Sequence, residues 1–89
     1  MINNFYYDKD GSLNYKTQYN NYALLLGKTS NGLNSDVLFI FREPTIKDIN
    51  QGFTGEVVGF CYGGSYILKN KDYSIIDEII SEYENKKYN

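Results

Sequence analysis

Few side chains in this sequence have the chemistry of a catalytic or metal site. The chain has no His and one Cys, Cys61. Without a His, the usual hydrolytic dyads lack their general base and the common zinc sites lose their main ligand. Cys61 lies between Phe60 and Tyr62 in an apolar run, where a free Cys is typically a buried small hydrophobe with a raised pKa. We therefore expect a structural cysteine.

The paired carboxylates of the first third of the chain lie in a turn. Asp8 and Asp10 precede Gly11, and Asp-Gly is a strong hairpin signal. A calcium loop of the EF-hand type would need an acidic or Asn ligand two residues before Asp8, where Tyr6 stands. No glycine pattern matches a phosphate-binding loop either. These absences predict a non-enzymatic protein with no metal and no cofactor.

The acidic residues near the end of the chain have two interpretations. A helix is predicted over residues 72–87, with one apolar stripe formed by Ile75, Ile76, Ile79, Ile80 and Tyr83. Its other side is acidic and is either a solvated surface or a docking surface for a basic partner, such as a protein that binds nucleic acid. The candidate residues for partner binding there are Asp77, Glu78, Glu82 and Glu84. Tyr62 and Tyr66 join them, because Tyr-rich surfaces favour protein contacts.

Charge and hydropathy narrow the class of protein. The net charge is −2 and the pI is about 4.9, which argues against direct nucleic-acid binding. No apolar run approaches the ~20 residues of a membrane span, and the first residues lack the basic start of a signal peptide. A single Cys suits a reducing compartment. We expect a cytoplasmic protein without a membrane-spanning segment.

Local patterns place the elements that would carry these residues. The run at 37–41 is apolar throughout and predicts a central strand, covered on both faces. Hairpins are predicted over 4–28 and 22–42, the second with Asn31-Gly32 at its tip. A short helical turn is predicted over 45–51, because Thr45 can form a capping pair with Asp48 and Gly52 can end the turn.

The next stretch predicts another hairpin over 53–69. Its arms are 56–62 and 65–68, joined by Gly63-Gly64. Glycines at 55 and 59 predict a bulge, strong curvature or an aromatic ring lying over the backbone.

The apolar strands exceed what one helix can cover. The runs at 23–26, 37–41 and 57–62 do not alternate, so each demands cover on both faces. In one interpretation, curvature and a turn anchored by Ile46 and Ile49 close the core. In the other, the second face or a sheet edge is an interface for a second copy or a partner.

The sequence thus predicts one α+β domain over residues 1–89, with a mostly antiparallel sheet of about five strands and one C-terminal amphipathic helix. The leading hypothesis is a small non-enzymatic inhibitor or adaptor that binds a host or phage protein, of the kind that phages direct at host defences, including anti-CRISPR proteins. An immunity or antitoxin-type partner of a toxin and a small-ligand binding protein are the alternatives. A homodimer is also expected.

Overall fold

The described strands form one antiparallel sheet, and the longest described helix packs on one face of it. The computed structural model describes residues 4–27 and 36–88. Within these residues the strands are β1 (Phe5–Tyr7), β2 (Leu13–Lys16), β3 (Asn21–Gly27), β4 (Val37–Arg42) and β5 (Glu56–Tyr62), in that spatial order. The helices are α1 (Ile46–Asn50), α2 (Gly64–Asn70) and α3 (Ser74–Tyr88). The predicted α+β fold is confirmed.

Turn chemistry forms the first hairpin as predicted. The Asp8 carboxylate accepts from the backbone N–H groups of Asp10 and Ser12, at 2.9 and 3.0 Å, and Gly11 supplies a φ of 82°. The second hairpin pairs β3 with β4 from Tyr22 opposite Arg42 to the other end of both strands. Its predicted tip, Asn31-Gly32, lies outside the described residues.

The short helix α1 has the predicted cap but not the predicted anchor. The Thr45 hydroxyl accepts from the Asp48 N–H at 3.1 Å, and the Asp48 carboxylate accepts from the Thr45 N–H at 3.0 Å. Ile46 and Ile49, however, are 80% and 59% exposed, so the prediction that they anchor this turn to the core is wrong. The side of α1 that meets the sheet carries Asp48, which forms an ion pair with Arg42 at 3.2 Å.

The predicted hairpin over 53–69 is wrong in its second arm, since residues 65–68 belong to α2. Gly63 adopts a left-handed φ of 73°, which turns the chain out of the sheet rather than back along it. The Asp36 carboxylate then accepts from both the N–H and the hydroxyl of Ser65, each at 2.8 Å. A residue 29 positions away therefore satisfies the helix N-terminus, and no local sequence pattern contains that information.

Both longer helices cover the same face of the sheet. The buried cluster beneath them consists of Tyr15, Tyr22, Leu24, Leu38, Ile40, Ile67, Ile76 and Ile80. Burial of each of these aliphatic side chains is worth ~1.5–3 kcal/mol. The predicted helix over 72–87 differs from α3 by two residues at its start and one at its end. None of the described helices is long and apolar enough to cross a bilayer.

Candidate functional site

The face of the sheet turned away from α2 and α3 carries an uncovered set of apolar side chains. Strand alternation and register place six of them together, whereas Val37 of β4, on the same face, is buried. On this face Phe39 of β4 lies between Leu25 of β3 and Phe60 of β5, and Phe41 pairs with Val57. We call the surface formed by Leu25, Phe39, Phe41, Val57, Phe60 and Tyr62 the open face.

Four side chains of the open face are exposed to about half of their area or more. The exposed fractions are 48% for Leu25, 55% for Val57, 52% for Phe60 and 66% for Tyr62. Together they present on the order of 400 Å² of surface, within the ~300–600 Å² range of the largest apolar patches on monomers, which are often functional. The open face therefore has the size and character of a contact surface.

The aromatic rings of the open face hold one another in place. The Phe39 and Phe60 ring centroids are 6.4 Å apart, and Phe60 and Tyr62 meet edge to face at 5.6 Å. The Phe41 ring lies over Gly55, where an added Cβ would come within 2.3 Å of the ring. This confirms the predicted ring over the backbone. Neighbouring rings restrict each other's rotamers, so the surface is preorganised for contact.

A β-bulge assembles this surface. Val57 and Phe60 are three residues apart, so simple alternation would send them to opposite faces. The register between β4 and β5 shifts between Ile40 and Phe41, which pair with Gly59 and Val57 and leave Val58 as the extra residue. Val58 packs against the buried cluster, and Val57 and Phe60 both reach the open face. The bulge predicted from the glycines is confirmed.

Polar side chains bound the open face on its β1–β2 side. The Asn21 amide donates to Asn14 at 3.2 Å and to Glu43 at 2.7 Å, and Tyr6 donates to Asn21. Asn14 in turn donates to Asp8 at 3.0 Å. These hydrogen bonds form a polar rim beside an uncharged apolar centre, the arrangement found in protein–protein interfaces.

The four acidic candidates on α3 fall into two pairs. Asp77 accepts from the Tyr15 hydroxyl at 2.6 Å, and Glu84 accepts from the Tyr22 hydroxyl at 2.5 Å and from Thr17 at 2.7 Å. Both carboxylates thus bind the protein's own sheet.

The other pair points away from the sheet. Glu78 and Glu82 are exposed, and neither carboxylate accepts a hydrogen bond from another side chain of the described residues. Of the two candidate tyrosines, Tyr62 lies on the open face, and Tyr66 lies on α2 with 65% of its area exposed. The structure therefore does not bring the six candidate residues together.

Burial and carboxylate partners suppress ionisation of the tyrosines beneath α3. Desolvation, followed by the hydrogen bond to Asp77, raises the pKa of Tyr15 to about 12. Desolvation and the bond to Glu84 raise the pKa of Tyr22 still further. These phenols therefore remain neutral donors that tie the C-terminal helix to the sheet.

A buried Arg organises a polar network that the sequence analysis missed. Arg42 contacts Asp48 at 3.2 Å and Glu56 at 3.3 Å, and its guanidinium lies 4.4 Å from the Phe53 ring centroid. Tyr83 donates to Glu56 at 2.6 Å, and this bond, with the nearby Arg42, lowers the pKa of Glu56. One signal was available: Arg42 continues the alternation of two core residues, Leu38 and Ile40, onto the same buried face.

Two further features could bear on function. Cys61 is half-buried with its Sγ 3.9 Å from the Leu38 carbonyl oxygen, and desolvation raises the pKa of its thiol. A groove of about 400 Å³ lies beside the first hairpin, with Tyr7, Leu68 and Tyr73 in its walls. Within residues 4–27 and 36–88, no three Cys, Asp or Glu side chains are grouped to hold a metal ion.

Comparison with known proteins gives no match: no protein-family model, no curated protein and no solved structure aligns significantly with this chain.

Proposed function

We propose that this protein is a small non-enzymatic inhibitor or adaptor that works by binding another protein through the open face of its sheet. The observation that carries the proposal is the uncovered apolar surface centred on Phe60 and Tyr62, since both long helices pack on the opposite side. Exposed aromatic side chains on a rigid scaffold are the usual centres of binding energy in protein interfaces.

The partner class follows from the surface chemistry. An uncharged aromatic centre fits an apolar patch or helix of another protein better than it fits a nucleic acid, which requires basic contacts. We propose a host protein as the partner, of the kind that phages or mobile elements inhibit, including defence proteins. A toxin neutralised by an immunity-type protein would use the same surface in the same way.

The acidic side of α3 is the alternative contact surface. Glu78 and Glu82 are spaced four residues apart, where like charges repel by a few tenths of a kcal/mol in an isolated helix. Against a basic partner they would speed association and add specificity more than affinity. Asp77 and Glu84 are less suited to this role, because their carboxylates already accept hydrogen bonds from the sheet.

Capture of partners from a lysate of the natural host separates the two surfaces. The baits are the wild type, Phe60→Thr, a Glu78→Lys and Glu82→Lys double variant, and Tyr66→Ala as a control. Thr keeps the β-branched shape that strands favour, and Tyr66 matches Tyr62 in exposure, at 65% against 66%. We expect Phe60→Thr to reduce the captured partner at least ~10-fold, while Tyr66→Ala captures the wild-type amount.

Loss of capture by the charge-reversal variant alone would move the site to α3. In that case the wild-type association rate should also fall as salt rises. Capture by none of the baits, the wild type included, would contradict the protein-binding proposal itself.

The groove beside the first hairpin favours small-ligand binding as a second candidate function. Its walls combine leucine side chains with the rings of Tyr7 and Tyr73, which suits a largely apolar molecule with one or two hydrogen-bonding groups. A ligand present at 100 times its Kd should stabilise the fold by ~2.7 kcal/mol. A thermal-shift screen with apolar metabolites measures this, and Leu68→Ala should abolish any shift seen.

A further inference from the structure

We propose that in the free protein a second copy of this chain covers the open face, giving a two-fold symmetric dimer with the two sheets packed face to face. This inference rests on the proposed function, because it concerns the same surface. It states that a second copy covers the open face when no other protein is bound there. Sheets in such sandwiches pack ~10 Å apart with their inner side chains interdigitated.

The available area approaches the lower end of the range of stable dimers. The four exposed side chains of the open face present ~400 Å² on one copy, so a symmetric pairing buries ~800 Å² from them alone. Phe39 and Phe41 remain half-buried in the single chain and would add to this, as would the polar rim. The total approaches the ~1,200 Å² at the lower end of specific interfaces, which predicts a dimer of modest affinity.

Charge also favours a second copy over an unrelated charged molecule. Two copies that each carry a net charge of −2 repel weakly, and the six side chains of the open face add no like-charge contact. Two carboxylates of the polar rim, Asp8 and Glu43, already accept hydrogen bonds from Asn14 and Asn21. An isologous interface requires such a surface, because each patch meets its own image.

The strand order suits a two-fold axis that runs along β4, because this axis places β5 of each copy over β3 of the other. The pairing registers then bring Phe60 over Leu25 and Val57 over Ala23. Tyr62 comes over Gly27, against which the Phe39 ring of the same chain already lies. Apolar side chains thus meet apolar side chains across the interface, as close packing of two sheets requires.

Sedimentation velocity between 1 and 200 µM tests the dimer. We expect a monomer–dimer equilibrium with a Kd in the tens of micromolar, as suits an interface near the lower size limit. Phe60→Thr and Tyr62→Thr should each raise that Kd at least ~10-fold. Tyr66→Ala, which removes an equally exposed ring from the other side of the sheet, should leave it within about twofold.

A pair of cysteines checks the geometry of the dimer. Ala23 and Val57 flank Phe41 on neighbouring strands, so they lie ~10 Å apart within one chain, beyond the ~7 Å limit for a disulfide. In a Cys61→Ser background, Ala23→Cys with Val57→Cys keeps Phe60 and Tyr62 and should therefore oxidise to covalent dimers. Failure to cross-link would overturn the proposed axis.

Failure of this inference differs from failure of the proposed function. A chain that stays monomeric to 200 µM but still captures a partner through Phe60 overturns the dimer and leaves the function in place. A dimer that forms equally well in both threonine variants also overturns the inference, since its interface then lies elsewhere, with the β5 edge the next surface to test.

Discussion

The two faces of the sheet are built from the same strands but end in different chemistry. Beneath α2 and α3, apolar side chains are combined with buried tyrosines whose hydroxyls donate to carboxylates of α3, such as Tyr22 to Glu84. On the open face, Phe60 carries no polar group and is half exposed, and Tyr62 is more exposed still. The chain's own helices thus cover one face, whereas the other face stays partly exposed, which is the basis of the proposal that it binds a partner.

The comparison also shows how one inserted residue changes a surface. Because Val58 is the extra residue of the bulge, Gly59 faces Ile79 of α3 while Val57 and Phe60 both lie on the open face. A regular strand would have buried one of those two side chains under the helix. The bulge therefore allows α3 to pack closely on β5 and keeps both Val57 and Phe60 on the open face.

The largest difference in free energy of unfolding should be between truncation of a side chain on the covered face and truncation of an exposed one. Ile76→Ala removes a fully buried side chain and should lower the free energy of unfolding by ~2–5 kcal/mol, through lost burial and a residual cavity. Ile46→Ala, at a site that is 80% exposed, should change it by less than ~0.5 kcal/mol. Urea denaturation of both variants measures the difference. Equal effects would contradict the assignment of the core.

Alkaline pH should selectively weaken the covered face. The pKa of Tyr15 in the folded protein is about 12, and that of Tyr22 is also raised, against ~10 in the unfolded chain. A raised folded pKa gives stability that is fully present below pH 10 and is lost as pH rises through the folded value. Each such Tyr should contribute a loss of up to ~1.4 kcal/mol per pH unit above 10.

Urea denaturation at pH 9, 10 and 11 measures this slope. Tyr22→Phe should make it shallower, because the variant lacks one of the suppressed ionisations. A wild-type stability that does not change up to pH 11 would contradict the burial of these hydroxyls.

Two glutamates on α3 can be compared directly, because the Glu84 carboxylate accepts hydrogen bonds from the sheet and the Glu82 carboxylate faces solvent. Glu84→Ala leaves the buried Tyr22 hydroxyl without its acceptor, which should destabilise the protein by ~1–3 kcal/mol. Glu82→Ala removes an exposed charge and should change stability by less than ~0.5 kcal/mol. Thermal unfolding of the pair reports the ranking, and a reversed order would refute the hydrogen-bonded role of Glu84.

An effect of similar size is expected where α3 contacts the bulged strand β5. A Cβ at Gly59 would come within 2.5 Å of the Ile79 Cγ2, an atom fixed to a stiff β-branched side chain. Gly59→Ala should therefore destabilise the fold by ~1–3 kcal/mol. In an Ile79→Ala background the same change should be nearly neutral, which a double-mutant cycle by urea denaturation measures. Additive effects would place Ile79 away from Gly59.

Local sequence signals predicted the parts of the fold that depend on neighbours in the chain. The apolar stripe of α3, the Thr45–Asp48 cap and the Asp8–Gly11 turn each result from interactions within a few residues, and the structure contains all three. For the excess of apolar strand the sequence left two interpretations open: a core closed by curvature and the turn at Ile46 and Ile49, or a face or edge that serves as an interface. The exposure of both isoleucines argues against the first, and cover by a copy or a partner stays a prediction.

Long-range contacts account for what the sequence did not predict. Helix α2 depends on Asp36, which lies at the start of the neighbouring strand β4 and accepts from Ser65. Without that contact in view, Gly63-Gly64 resembled a hairpin turn. Asp77 and Glu84 were expected to be available to a partner, but Tyr15 and Tyr22 of the sheet donate to their carboxylates. Such partners are visible only once the strands are in register.

The central claim is that the open face is a protein-contact surface. It can be tested by comparing the solvent accessibility of Tyr62 with that of Tyr66. Tyr62 and Tyr66 are 66% and 65% exposed on opposite sides of the sheet, so hydroxyl-radical footprinting at nanomolar concentration should modify them at similar rates. With the captured partner bound, or at 200 µM protein, the rate at Tyr62 should fall several-fold while Tyr66 is unchanged. Equal rates in all three conditions, or protection of Tyr66 alone, would contradict the claim.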